Sequence, residues 1–255
     1  MIPENILTIY GRRPVYEAIK NQSINVWRLH LATSNKPTKD LDKIVKNAKN
    51  RNITIHYHTK RELSFISKNG RQDQGIACDI QIPEMEEYRE YLKNIKNKET
   101  TFLFAIDNVT NPQNLGMIIR SLTASNCGGI IVTRQMLKNI SPLTIKASAG
   151  AIFKSKLIYC HDLSKALRQM KKHGLEVYAL CPTSEESLET FKLKKTSVFI
   201  LGNESKGISD ELVRETTGTI SIPLMNGIES LNVAVSAAIV AVSYTHLTLP
   251  TIDPV

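Results

Sequence analysis

Asn114, Gly116 and Arg120 lie within the stretch Asp107-Asn-Val-Thr-Asn-Pro-Gln-Asn-Leu-Gly-Met-Ile-Ile-Arg120, directly after the apolar run 101–106. An apolar run that ends in an Asn/Pro turn reads as a strand feeding a helix. Leu115, Ile118, Ile119 and Leu122 recur at i, i+3, i+4 and i+7, so they face a core, and Asn114 and Arg120 stand off that stripe. An amide, a glycine and an arginine at the carboxyl end of a strand occupy the place where open α/β sheets hold ligands. The fork of arginine matches phosphate, which points to an anionic partner. Read alone, the segment is equally an N-cap followed by a surface arginine.

Two more segments carry the same kind of chemistry. In 197–209, SVFILGNESKGIS, a buried-looking strand runs into Gly202-Asn203-Glu204-Ser205-Lys206-Gly207. Glycines on both sides of an Asn-Glu pair let backbone approach a ligand closely. Ser209 is placed to cap a helix with Asp210 and Glu211 in its first turn. In 219–242, a short strand and a Pro/Gly turn precede Ser230-Leu-Asn232 at the head of a helix rich in Ala, Val and Ile. Ser230 suits an N-cap. Asn232, read as two residues inside an apolar helix, needs partners for its amide.

In this order, NPQNLGMIIR, ILGNESKGIS and IPLMNGIESLNVAVSAAI resemble the signatures of the SpoU (TrmH) family of RNA ribose 2′-O-methyltransferases, within the SPOUT superfamily. KASAGAIFKSKL (146–157) also looks like the family, and the resemblance spans 101–242. Residues 8–80 resemble the substrate-binding module that precedes this domain in many members. The nearest subgroup is the guanosine-specific rRNA enzymes that carry such a module.

The resemblance implies a small N-terminal α/β RNA-binding module and a C-terminal, mainly parallel α/β sheet with a deep trefoil knot. Knots are nearly absent from proteins, so chain physics alone would predict an ordinary open sheet. The implied cofactor is S-adenosylmethionine, held bent and largely by backbone groups. Gly202, Ile222 and Leu231 match its backbone positions, with Leu180 a weaker match. No strand-linked G-x-G-x-x-G is present, so neither a Rossmann nor a Walker site competes with this reading.

The implied catalytic set is Asn114, Arg120, Glu204, Ser230 and Asn232. Arg120 would clamp a phosphate and favour ionisation of the ribose hydroxyl; a guanidinium does not give up its own proton in proteins. Asn114 would orient Arg120 or the ribose. Glu204 would shape the pocket or pair with an arginine, and Ser230 and Asn232 would hold the knot loop and the substrate. The implied substrate is ribosomal RNA, at a guanosine of the large-subunit RNA. A tRNA methyltransferase and a non-catalytic RNA-binding or assembly factor that keeps the fold are the alternatives.

The elements that must position these residues follow from the patterning. A helix over 12–21, a strand 26–32, a helix 41–52 with Leu41, Ile44, Val45 and Ala48 inward, a strand 53–59, a short helix and a strand 75–80 build a module over 1–80. The charge-dense 81–100 reads as a partly helical linker. Strands near 102–106, 129–133, 156–160, 176–181, 197–201 and 219–222 alternate with helices in a methyltransferase domain over 101–243, the signature of a parallel sheet. The stretch SYTHLTLPTIDPV (243–255) breaks the pattern and resembles translated adapter read-through, so 244–255 is set aside as non-native.

Composition agrees. The net charge is +9, and residues 1–180 hold 28 Lys and Arg against 15 Asp and Glu. A basic face suits a polyanion. Arg12 and Arg13, at the head of the first helix, are candidate RNA phosphate contacts. No run of 18 apolar residues exists, so no membrane span is expected. The four separated cysteines and the lack of a signal-peptide pattern point to the cytoplasm. His56 and His58 share a strand face, with no Cys or acidic residue at ligand spacing, so no metal site is expected. Trp27, Tyr57 and Phe65 read as core residues. The helix 231–242 is apolar on nearly every face and needs cover on two sides, which the family meets by forming homodimers.

Overall fold

The computed structural model describes residues 6–81, 85–95, 100–137 and 140–246. In chain order the first elements are β1 (Ile6–Tyr10), α1 (Arg12–Lys20), β2 (Val26–Ala32), α2 (Lys39–Asn50), β3 (Thr54–His58), α3 (Lys60–Ser67) and β4 (Ile76–Gln81). Next come β5 (Glu86–Glu87), α4 (Tyr88–Asn94), β6 (Phe102–Ile106), α5 (Pro112–Thr123), β7 (Gly129–Thr133), α6 (Arg134–Leu137) and α7 (Pro142–Ala147). The chain continues through β8 (Leu157–Cys160), α8 (Leu163–Lys172), β9 (Glu176–Leu180), β10 (Ser197–Leu201), α9 (Asp210–Val213), β11 (Gly218–Ile220) and α10 (Val233–His246).

These elements form two compact units. The first contains residues up to 84 together with Ile140–Lys154, and the second contains Met85–Asn139 and Ser155–Val255. The compact units thus place 140–154 with the first part of the chain: Asn21 donates to the Phe153 carbonyl at 2.7 Å, and Lys154 pairs with buried Glu17 at 2.7 Å. The pattern of 140–154 is helical and gives no hint of which sheet it packs on.

The first unit has a four-stranded sheet in the order β1-β4-β2-β3, antiparallel except for β2 with β3. Period-2 patterning puts Leu29 and Leu31 of β2 and Ile76 and Cys78 of β4 in its core. Arg51 closes the end of α1: its guanidinium donates to the carbonyls of Ile19 at 2.7 Å, Asn21 at 3.0 Å and Ile24 at 2.7 Å. Those carbonyls have no partner inside the helix, so a cation placed there replaces water.

Two of the aromatic residues expected in this core are outside it. Tyr57 is 62% exposed and Phe65 is 69% exposed. Tyr57 lies on β3, the edge strand of this sheet, and α3 turns Leu63 and Ser67 rather than Phe65 inward. Trp27 is half-buried beneath the Arg28 guanidinium, 3.6 Å from the ring centre.

The second unit is a seven-stranded parallel sheet, β11-β9-β10-β6-β7-β8-β5. Its central strands are continuous apolar runs because helices cover both faces. The chain steps outward from β6 through β7 to β8, then crosses over to lay β9 and β10 on the other side. The strand order thus reverses between β6 and β10. Of the stretch read as a linker, 85–95 belongs to this unit: β5 pairs with β8, and Tyr88, Tyr91 and Leu92 of α4 are buried. Residues 82–84 and 96–99 lie outside the described residues.

Helix α10 packs on α5 and continues past the expected break at 243. Tyr244 is 1% exposed and stacks on Phe199 with ring centres 5.3 Å apart. The rest of the suspect tail, 247–255, lies outside the described residues.

Candidate functional site

Adjacent parallel strands end together. Leu201 of β10 is in register with Ile106 of β6, so the loops that follow them leave the sheet side by side at the point where the strand order reverses. Buried Asp107 joins them: its carboxylate accepts from the Ser209 backbone N–H at 2.9 Å. Asn203 donates to the Asn108 carbonyl at 2.8 Å. The sequence contained a signal for this role, since a carboxylate directly after a fully apolar strand must find donors. Its partner, 102 positions along the chain, could not be read. Ser209 stands at the N-cap of α9, but its side chain makes no capping bond; its N–H serves Asp107 instead.

The loop 202–208 closes on itself. Asn203 and Gly207 exchange backbone hydrogen bonds at 2.9 and 3.0 Å, and the Asn203 side chain accepts from the N–H groups of Ser205 and Lys206. Gly207 has φ +69°, a conformation that a side chain disfavours. Gly202 is required for a different reason. A β-carbon there would stand 2.4 Å from the Gly207 carbonyl carbon.

Beside this loop the carboxyl ends of β9, β10 and β11 and the segment 222–233 enclose a cavity of about 490 Å³. Leu180, Gly202, Ile222 and Leu231 all line it, as do Glu204, Ser230 and Asn232. Four positions named for one ligand thus converge on one space with apolar walls and a few polar groups, the make-up of a small-molecule site.

Asn114 stands at the edge of this group. Asn111 caps α5, accepting from Gln113 N–H at 2.8 Å, and Pro112 needs no donor in the first turn. That start places Asn114 one turn in, where it is buried. It donates to Glu204 at 2.8 Å and accepts from Asn232 at 3.1 Å. Asn232 is not inside the helix, as its pattern suggested. It is the residue before α10, and its side-chain oxygen accepts from Ala234 N–H at 2.9 Å. Asn232 therefore does the capping expected of Ser230, which is exposed on the cavity wall.

Arg120 takes no part in this chain of amides. It is exposed on α5, six residues beyond Asn114, which is about 9 Å along the helix axis and on another face. Asn114 therefore does not orient the Arg120 of its own chain, and that arginine does not line the cavity. Glu204 binds the amide rather than an arginine.

In the first unit, Arg13 is ion-paired with Glu17 at 2.6 Å. Arg12 donates to Thr38 at 3.3 Å through its side chain and to Gln74 at 2.8 Å through its backbone. The histidines meet as a cluster: His30 lies 3.0 Å from His58 and 3.3 Å from Asp79. Asp79 is the acidic neighbour that linear spacing concealed. Among the described residues no group of three or more His, Cys, Asp or Glu is arranged to hold a metal. None of the described helices is long and apolar enough to cross a membrane.

Residues 101–242 match the model of the SpoU rRNA methylase family, and residues 8–86 match that of the RNA 2′-O ribose methyltransferase substrate-binding domain. An uncharacterized tRNA/rRNA methyltransferase of Mycolicibacterium vanbaalenii is 29% identical over 234 residues, 91% of this chain and 74% of that protein. A Staphylococcus aureus protein assigned by name to the TrmH family of tRNA/rRNA methyltransferases is 27% identical over 91% of this chain and 92% of its own. The crystal structure of the SpoU methyltransferase AviRb from Streptomyces viridochromogenes, in complex with AdoMet, has the same fold. It superposes with a TM-score of 0.79 at 18% identity, covering 95% of this chain and 90% of that one. The chain belongs to the SpoU family of RNA methyltransferases.

Proposed function

We propose that this protein transfers a methyl group from S-adenosylmethionine to the ribose 2′-hydroxyl of a guanosine in large-subunit ribosomal RNA. One observation carries the site: Asn232, Asn114 and Glu204 are tied together at the rim of the cavity that Leu180, Gly202, Ile222 and Leu231 line. The cavity volume of about 490 Å³ and its apolar walls suit the cofactor. Bound there, the cofactor supplies an already activated methyl group. What remains for the chain is to align the hydroxyl and manage its proton.

Alignment is the larger part, worth up to about 7–11 kcal/mol in favourable cases. Ser230 and Asn232 hold the substrate edge of the cavity, and the amide chain fixes Asn232. The charge of Arg120 favours ionisation of the hydroxyl and clamps a phosphate, and the proton leaves to solvent or to a phosphate oxygen. Because Arg120 faces away from its own cavity, this reading has it serve the cavity of a second copy. Exposed Met117 on α5 and exposed Val235 and Val242 on α10 supply apolar cover for such a homodimer. The trefoil knot belongs to the same reading, with α10 passing the loop 202–208 beside the cavity. Arg12 and Arg13 remain candidate phosphate contacts, and this reading places the protein in the cytoplasm.

The competing substrate is tRNA, since the relatives are named for both RNAs. Calorimetric titration with S-adenosylmethionine and transfer of a tritiated methyl group to total RNA test the activity. Mapping 2′-O-methylation then identifies the nucleotide. Cofactor binding without transfer to any RNA would favour a non-catalytic RNA-binding factor, and label in tRNA alone would replace the ribosomal reading.

A further inference from the structure

Helix α3 presents Lys60, Arg61, Ser64 and Phe65 on one outward face, at i, i+1, i+4 and i+5, and Lys68 follows as the left-handed residue that ends the helix. Together with Gly70 and Arg71 they line an open depression of about 700 Å³. Its floor is set by a close approach of backbone to side chain. A β-carbon on Gly70 would stand 2.5 Å from the Ser64 β-carbon, so only glycine lets the loop after α3 fold back over the helix. That fold brings Lys68 and Arg71 beside Phe65.

Phe65 is 69% exposed although α3 has a buried face available through Leu63 and Ser67. Among the described residues, none of Lys60, Arg61, Lys68 and Arg71 forms an ion pair with a carboxylate. Glu62, the acidic residue of this helix, is occupied in a capping box with Thr59. An exposed aromatic face thus shares one depression with four cations that form no ion pair among the described residues. Its chemistry matches a ligand with a flat π-face and an anionic backbone.

We propose that this face of α3 binds an unpaired stretch of the substrate RNA, with a base stacked on Phe65 and the flanking phosphates held by Lys60, Arg61, Lys68 and Arg71. The inference rests on the methyltransferase reading for the identity of the polyanion, and it adds the strandedness. In a duplex the base faces are stacked on one another and only base edges, 2′-hydroxyls and phosphates are accessible, which leaves Phe65 without a partner. Stacking on an aromatic side chain requires bases free of pairing.

The test uses the full chain and two RNA probes of one length, a single strand and its duplex, with binding read by fluorescence anisotropy across a salt series. The expected result is tighter binding of the single strand. Phe65→Leu, which keeps apolar area and removes the π-face, should weaken that binding about tenfold and leave duplex binding unchanged. Arg71→Gln and Lys68→Gln should each lower the slope of log affinity against log salt by about 0.7 on the single strand. S-adenosylmethionine titration in the same samples separates the two readings. Cofactor binding with no loss in Phe65→Leu, or with equal affinity for both probes, overturns the stacking site alone. Failure to bind either the cofactor or RNA overturns the methyltransferase reading with it.

Discussion

Asn114 donates its side-chain NH2 to Glu204 at 2.8 Å, across 90 residues of sequence. That bond sets the direction of the whole chain of amides. A carboxylate only accepts, so the Asn114 oxygen is left to accept from Asn232. The Asn232 oxygen is held in turn by Ala234 N–H, so neither amide can flip without losing a bond.

This polarity predicts a reciprocal pair of variants. Asn114→Asp sets two carboxylates against each other, a repulsion between about 1 kcal/mol in water and about 4 kcal/mol near a protein surface. Glu204→Gln added to it restores a donor facing an acceptor, with the roles exchanged. Methyl transfer should fall at least tenfold in Asn114→Asp and partly recover in the double variant, a coupling of about 1–2 kcal/mol. Losses that simply add would show that the bond plays no part in shaping the site.

Gly202→Ala should damage the loop rather than the sheet. The added carbon meets backbone atoms of Gly207 and Ile208, not a side chain that could swing away. Overpacking of this kind costs about 1–3 kcal/mol. Calorimetry should show S-adenosylmethionine affinity reduced more than tenfold, with a modest fall in melting temperature. Unaltered affinity would mean that the cofactor does not depend on this turn.

The strands and the parallel sheet were legible because long apolar runs alternate with helical stripes, and the three polar segments stood at strand ends. What stayed hidden was long-range. The pairing of Asn114 with Glu204, and of Asp107 with Ser209, depends on which strands become neighbours, and period and turn signals do not encode that. Asn232 was misplaced by one helical start, which turned a capping amide into an apparently buried one. Phe65 was misread because an exposed aromatic has the same letter as a buried one. Only the position of Leu63 and Ser67 on the opposite face distinguishes them.

Arg120→Lys should cut methyl transfer by about a hundredfold or more, the usual cost of losing one well-placed donor at a developing anion. S-adenosylmethionine affinity should not change, because Arg120 lies away from the cavity. If the arginine serves a second copy, mixing Arg120→Lys with a Gly202→Ala chain should regain activity through mixed dimers. No recovery, together with monomers only in sedimentation at micromolar concentration, would refute the shared site.

The histidine cluster predicts two acid transitions in the first unit. Burial, then the nearby charge of His30 and the smaller effect of His56, hold His58 below its usual pKa of 6.5, against an opposing pull from Glu62. The unfolded chain therefore takes up that proton first, and stability should fall as pH drops below about 6.5. Burial raises the Asp79 carboxyl, but hydrogen bonds from His30 and Thr8 and the charges of His30 and Arg28 outweigh it, leaving a net lowering. Its contribution is present above the ordinary carboxyl range and is lost at more acid pH, as the folded carboxyl protonates. Urea midpoints measured from pH 8 to pH 3 should show both steps, and His58→Gln should remove only the first. A single step shared by both proteins would exclude the assignment.

Tyr244 allows the junction of helix and tail to be tested. Its ring packs among Phe102, Phe191 and Phe199, and its hydroxyl, among the described residues, finds no hydrogen-bond partner. Burial also holds the phenol well above its usual pKa, so ionisation offers no relief. An apolar ring suits this position, and the hydroxyl is a cost. Tyr244→Phe keeps the ring contacts and removes the stranded group, so it should stabilise the protein by about 1 kcal/mol. The melting temperature should rise by about 2–4 °C, whereas Tyr244→Ala should lower stability by several kcal/mol through the cavity it leaves. A lower melting temperature for Tyr244→Phe would show that the hydroxyl has a partner.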